Sequence, residues 1–189
     1  MERIEEGQLL VRHRGGDADA FAELVARYRR PVYSYLVRCG VEAAARDDLF
    51  QEVFTSIHRA AATYQPERPL KPWVFTIVAN IVRGHYRKSR VREAAAATDP
   101  EPSDSAPDSH QLVEARETAA WIEHAIATLP FSQREVVVLC CIEQLPQDDA
   151  AATLGMPVNT VKTHLRRARI TLAQALARRQ AVLRREVSA

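Results

Sequence analysis

Apolar side chains return every three or four positions through most of this chain, the spacing of helices with one buried face. After Gly15-Gly16, the run Asp17-Ala18-Asp19 gives a helix start, and Phe21, Leu24, Val25, Tyr28, Val32 and Leu36 follow in register. Pro31 should kink or interrupt that helix, because proline lacks an amide hydrogen and crowds the preceding turn. From Asp47 to His58, Leu49, Phe50, Val53, Phe54 and Ile57 share one side, while Asp47, Asp48, Gln51, Glu52 and Thr55 are the polar positions. Trp73–Lys88 is a third helix. Trp121–Leu129, Phe131–Glu143, Gln147–Leu154 and Asn159–Arg178 supply four more, and no segment has the alternation of a strand. The expected fold class is all-α.

Residues 94–111, AAAATDPEPSDSAPDSHQ, break the pattern. Small residues, prolines, serines and acids offer no large apolar side chain to bury, so the stretch should be a flexible acidic linker. It divides the chain into two small helical domains, 1–93 and 112–189. Charge divides it in the same way. Residues 1–92 carry a net +5, residues 93–111 carry −5 with no Lys or Arg, and residues 112–189 carry +2. The whole-chain value of +2 hides two basic lobes on an acidic tether.

In the second lobe, QDDAAATLGMPVNTVKTHLRRAR has the form helix, tight turn, helix. Ala151 is small where two helices must approach, Gly155 can end a helix at positive φ, Pro157 blocks continuation, and Asn159 is a good N-cap. Val161, Leu165, Ala168 and Leu172 form the inward stripe of the second helix. Asn159, Thr160, Thr163, Arg166, Arg167 and Ile170 face the opposite way, with Lys162 and Arg169 on the flanks. No acid occurs between Gly155 and Glu186. Amide, hydroxyl and guanidinium groups on the outer face of the first turns suit the reading of base edges in a major groove, and the flanking cations suit phosphates.

The first lobe carries a different nucleic-acid signal. Thr76, Asn80, Arg83 and Arg87 align as one polar stripe on the Trp73–Lys88 helix. Next to Trp73 and Tyr86, such a stripe combines phosphate neutralisation with stacking surfaces, as binding of a single strand requires. Just ahead lies the proline-rich segment Thr63–Pro72, with Tyr64, Arg68 and Lys71. The acidic positions Asp47, Asp48, Gln51 and Glu52 fit a basic protein partner better than DNA.

These motifs resemble bacterial sigma factors, the extracytoplasmic-function group in particular. GDADAFAELVARYRRPVYSYLVR, DDLFQEVFTSIHRA and PWVFTIVANIVRGHYRKSR are similar to the family's second conserved region. Leu129-Pro130, Arg134, Leu154-Gly155, Thr160-Val161-Lys162 and Arg167-Ala168-Arg169 are similar to its fourth. The chain departs from the pattern at Pro146-Gln147-Asp148-Asp149-Ala150-Ala151, where Ala150 replaces a large aliphatic, and at Leu70-Lys71 and Gly84. The resemblance implies a subunit that brings core RNA polymerase to promoters and helps to melt them. Asn159, Thr160, Lys162, Thr163, Arg166, Arg167 and Arg169 would meet the upstream (minus-thirty-five) duplex. Tyr64, Arg68, Lys71, Trp73, Thr76, Asn80, Arg83 and Arg87 would meet the minus-ten element, its non-template single strand included. Asp47, Asp48, Gln51 and Glu52 would dock on the polymerase clamp, and an anti-sigma factor is a further implied partner. The alternatives are a stand-alone helix-turn-helix regulator and a helical interaction module without DNA binding.

Other function classes find no support. There is no nucleotide-binding glycine loop, nucleophile elbow or metalloprotease signature, and the six histidines have no ligand spacing, so neither an enzyme nor a cofactor or metal site is expected. Cys39, Cys140 and Cys141 are expected as buried small apolar residues in a reducing compartment. No apolar run approaches the length of a membrane span, and the acidic N-terminus is unlike a secretory signal, so a cytoplasmic protein is expected.

Overall fold

A computed structural model describes residues 2–96 and 113–187, and among these no strand occurs. The helices gather into two units, the first carrying α1 to α4 and the second carrying most of α5 to α8. The linker expected over 94–111 lies outside the described residues except for 94–96, which form the last turn of α4.

The first unit opens with a helix that the sequence pattern did not announce, α1 (Glu2–Arg14). Leu9 and Leu10 are buried, and α2 (Ala18–Arg38) is the helix that α1 contacts most extensively. Polar contacts then fix the pairing. Tyr28 donates its hydroxyl to Glu6 Oε2 at 3.1 Å, and Arg27 Nη1 lies 3.3 Å from Glu6 Oε1. At the corner, Asp17 caps α2 by accepting from the Ala20 amide at 3.0 Å and pairs with Arg12 at 2.7 Å. That backbone bond, with Arg12 beside it, holds the Asp17 carboxyl below its ordinary pKa.

Pro31 does not interrupt α2. It removes one backbone donor, but Val32, Tyr35 and Leu36 just beyond it are fully buried and keep the chain helical across the site. α3 (Ala43–Ala60) contributes Leu49, Val53, Phe54 and Ile57 to the same core, and a single 3₁₀ turn, Ala61–Thr63, closes it. α4 (Leu70–Ala96) begins before Trp73, because Pro72 sits in the first turn, where a missing amide hydrogen costs no helical bond. Val74, Phe75, Val78, Ala79 and Val82 are completely buried. Each larger one contributes about 1.5–3 kcal/mol relative to exposure.

In the second unit, α5 (Val113–Ala127) turns at Leu129-Pro130 into α6 (Phe131–Val137), which passes into a π-helical turn, Val138–Ile142. Arg134 ties the corner by donating from Nη2 to the carbonyls of Ala127, at 2.7 Å, and Leu129, at 2.9 Å. Gln144 follows at φ +57°, the left-handed conformation, and its neighbour Leu145 donates back to the Leu139 carbonyl at 2.9 Å. The three cysteines do not share one fate. Cys39 is buried, Cys140 is half-buried and Cys141 is exposed. Adjacent helical residues point roughly 100° apart, and Val138 and Leu139 already fill the interior at this level.

α7 (Gln147–Leu154) ends at Gly155, φ +61°, with the Met156 amide returning to the Ala151 carbonyl at 3.0 Å. α8 (Val158–Val187) then starts from the Pro157 carbonyl, which accepts from Thr160 at 2.9 Å and Val161 at 3.2 Å. Asn159 is therefore inside the first turn and is not its cap. Val161, Leu165 and Ala168 bury as the stripe requires, and Ala150 and Ala151 on α7 are buried as well.

Candidate nucleic-acid interface

α8 carries its polar groups where the helical arithmetic put them. Asn159, Lys162, Thr163, Arg166, Arg167 and Arg169 are exposed, and Thr160 is half-buried. Gln147, at the start of α7, faces Lys162, Leu165, Arg166, Arg169 and Ile170 across a shallow groove of about 430 Å³. The groove floor is aliphatic and its rim cationic. Thr163 spends its hydroxyl proton on the Asn159 carbonyl at 2.8 Å, so the oxygen presents acceptor lone pairs outward. Asp148 and Asp149 begin α7, where carboxylates suit the helix dipole, and they leave the α8 face free of acids. Burial pushes the Cys140 thiol up to about 11, the neighbouring Cys141 adds to the shift, and Arg169 opposes it.

The minus-ten candidates divide. Arg68, Asn80 and Arg87 are exposed, while Lys71, Trp73, Thr76 and Arg83 are half-buried. Thr76 donates to the Pro72 carbonyl at 2.8 Å, and Lys71 Nζ sits 5.9 Å from the centre of the Phe75 ring. Tyr64 differs from the rest. Only 3% of it is exposed, its hydroxyl donates to the Arg68 carbonyl at 2.6 Å, and its ring meets Trp73 edge-on at 5.4 Å. A stacking surface for a base is not available on Tyr64 in this conformation. Tyr86 is likewise occupied, donating to the Cys39 carbonyl at 3.0 Å.

Asp47, Asp48, Gln51 and Glu52 are exposed on α3. Beside them runs a groove of about 400 Å³ between α2 and α3, lined by Phe21, Val25, Phe50 and Phe54 among others. Helical spacing places these four on the apolar sides of α2 and α3. Phe21, Val25 and Phe50 are only half-buried, so this acidic surface has an apolar floor beside it. The half-exposed register of Phe21 and Val25, one position off the buried Leu24–Tyr28 line, was the available signal.

No helix among the described residues is long and apolar enough to cross a membrane, and no three or more His, Cys, Asp or Glu gather there as a metal site.

Comparison with known proteins adds lineage to this geometry. Residues 24–92 match Sigma-70 region 2, and residues 119–172 match Sigma-70, region 4. The RNA polymerase sigma factor CnrH of Cupriavidus metallidurans is 32% identical over 169 residues, covering 85% of this chain and 88% of that protein. The ECF RNA polymerase sigma factor RpoE of Cereibacter sphaeroides is 30% identical over 165 residues, covering 84% and 87%. Among solved structures, CnrH in complex with the cytosolic domain of CnrY aligns with a TM-score of 0.68 at 27% identity, covering 91% of this chain and 97% of that one. RpoE of Bartonella quintana, in complex with the anti-sigma factor NepR, shares the fold at a TM-score of 0.71 and 22% identity, covering 83% and 96%. With two sigma regions in order and relatives matched along most of their length, this chain belongs to the RNA polymerase sigma factors, in the extracytoplasmic-function group.

Proposed function

We propose that this sigma factor works in the cytoplasm as a non-catalytic initiation subunit, with residues 1–93 engaging core polymerase and the minus-ten element and residues 112–189 engaging the upstream element. The observation that carries the division is the acid-free outer face of α8, where Asn159, Arg166 and Arg167 are exposed together with the flanking cations Lys162 and Arg169. Guanidinium and amide groups there reach base edges, while the flanking cations neutralise phosphates and release counterions.

In the first domain, Arg68, Lys71, Trp73, Thr76, Asn80, Arg83 and Arg87 line the path of the non-template strand. Extruding a base from the duplex costs a few kcal/mol, which contacts in this loop and along α4 must recover. Asp47, Asp48, Gln51 and Glu52 meet a basic surface of the polymerase clamp, with the apolar groove beside them receiving aliphatic side chains of the same partner. The relatives crystallised with CnrY and with the anti-sigma factor NepR support an anti-sigma protein as the inhibitor of this one.

Reconstitution with core RNA polymerase tests the reading. The holoenzyme should protect and open discrete genomic promoters, losing affinity steeply as salt rises. A chain that binds a palindromic duplex tightly as a dimer, without polymerase, would instead be a stand-alone regulator.

A further inference from the structure

The loop Gln65–Pro69 is exposed at every position, yet one buried residue ties both of its ends. The Tyr64 amide donates to the Ala61 carbonyl at 3.3 Å, and the Tyr64 hydroxyl donates across the loop to the Arg68 carbonyl at 2.6 Å. Inside that span the Arg68 amide closes a turn onto Gln65 at 3.0 Å. The tyrosine can adopt this pose only because α1 offers no side chain at Gly7. A β-carbon there would stand 2.6 Å from the Tyr64 oxygen and 3.4 Å from the ring carbon that bears it. The ring cannot swing aside cheaply, since Trp73 packs against it at 5.4 Å.

We infer that Tyr64, seated on Gly7 of α1, is a positioning residue that holds the Gln65–Pro69 loop in the pose from which Arg68 meets the promoter. The inference rests on the proposed reading of that loop as a minus-ten contact. It adds a role for α1, which lies ahead of the segment matching region 2. The phenol's surroundings agree with the role. Burial, with Glu6 and Glu67 nearby, raises the Tyr64 pKa, so the hydroxyl keeps the proton it donates. α1 is itself held to the rest of the unit by the Glu6–Tyr28 bond and by His13 Nε2, 2.9 Å from His58 Nδ1 on α3.

The test uses the full chain and its holoenzyme. Amide hydrogen exchange over residues 65–70 reads the loop. Open-complex formation on a footprinted promoter, and on derivatives with single minus-ten substitutions, reads discrimination. Tyr64→Phe keeps the ring and removes one hydrogen bond, so exchange should quicken and promoter discrimination should fall, each by about fivefold. Affinity for core polymerase and helicity should stay unchanged. Gly7→Ala should act in the same direction. The Gly7→Ala, Tyr64→Phe double variant should resemble Tyr64→Phe alone, because the clashing oxygen is gone. A packing role without positioning would leave Tyr64→Phe silent in both readouts or make the two substitutions additive, and either result overturns the inference. Arg68→Ala separates the inference from the reading beneath it. If Tyr64→Phe loosens the loop while neither it nor Arg68→Ala alters discrimination, the loop does not read the promoter, and both fall together.

Discussion

Arg166 and Lys162 lie on one helix and carry the same charge, but the proposed interface gives them different work. Both are exposed and line the groove, but at about 100° per residue Arg166 lies nearer the middle of the outer face and Lys162 on its flank. Arg166→Ala should cost about 1–3 kcal/mol on the preferred upstream sequence and relax discrimination there. Lys162→Ala should weaken all promoters alike and flatten the salt dependence by roughly one charge. Holoenzyme affinities for wild-type and upstream-mutated promoters, at several salt concentrations, separate the two. Equal losses on both promoters for Arg166→Ala would reduce α8 to an electrostatic anchor. Asp17 gives a residue-level test of another kind. Its carboxyl titrates below its ordinary 3.8, so its stabilisation is present above that value and disappears as pH falls through the lower folded pKa. Replacing it with Asn keeps a capping side chain but removes this titration. Melting temperatures measured from roughly pH 5 down to pH 2 should therefore fall less steeply for Asp17→Asn.

At the scale of elements, two helix ends, one just before the helix-turn-helix and one at its turn, solve one problem with different residues. Gly155 supplies a positive φ at the end of α7, and glycine accepts that at no steric cost. Gln144 adopts the same region after the π turn, where its β-carbon crowds the backbone. Gln144→Gly should thus raise unfolding stability by roughly 0.5–1 kcal/mol, the relief of strain less the added freedom of the unfolded chain. Urea denaturation checks it, and a lower midpoint would mean that the glutamine side chain contributes more than the strain costs. These ends also explain what the sequence could reveal. The Gly155 turn and the Val161, Leu165, Ala168 stripe were legible because local spacing dictates them. α1 was not, because its charged residues give little amphipathic signal and Leu9 and Leu10 are buried by tertiary packing. The inward pose of Tyr64 was hidden for the same reason, since its seat, Gly7, is distant in sequence.

For the whole molecule, the all-α class and the two sigma regions could be read from pattern and motif, but the apolar floor beside the acidic face could not. Periodicity separates buried from exposed faces and has no sign for a half-buried phenylalanine such as Phe50 between two helices. That floor bears on assembly. Reversing Asp48 and Glu52 to lysine should weaken core-polymerase binding by at least tenfold, as expected for lost complementary charges, while helicity stays normal. An unchanged titration would remove the clamp assignment. The uneven burial of the cysteines also makes the native chain a substrate for single-site labelling. Cys39 is enclosed, the Cys140 thiol is held protonated far above neutral pH, and Cys141 is exposed. A maleimide dye added near pH 7 should attach at Cys141 alone, without mutagenesis. Peptide mapping would verify the stoichiometry. The fluorophore would then sit on the turn that precedes the helix-turn-helix, where energy transfer to a dye on promoter DNA can time the arrival of α8 during initiation.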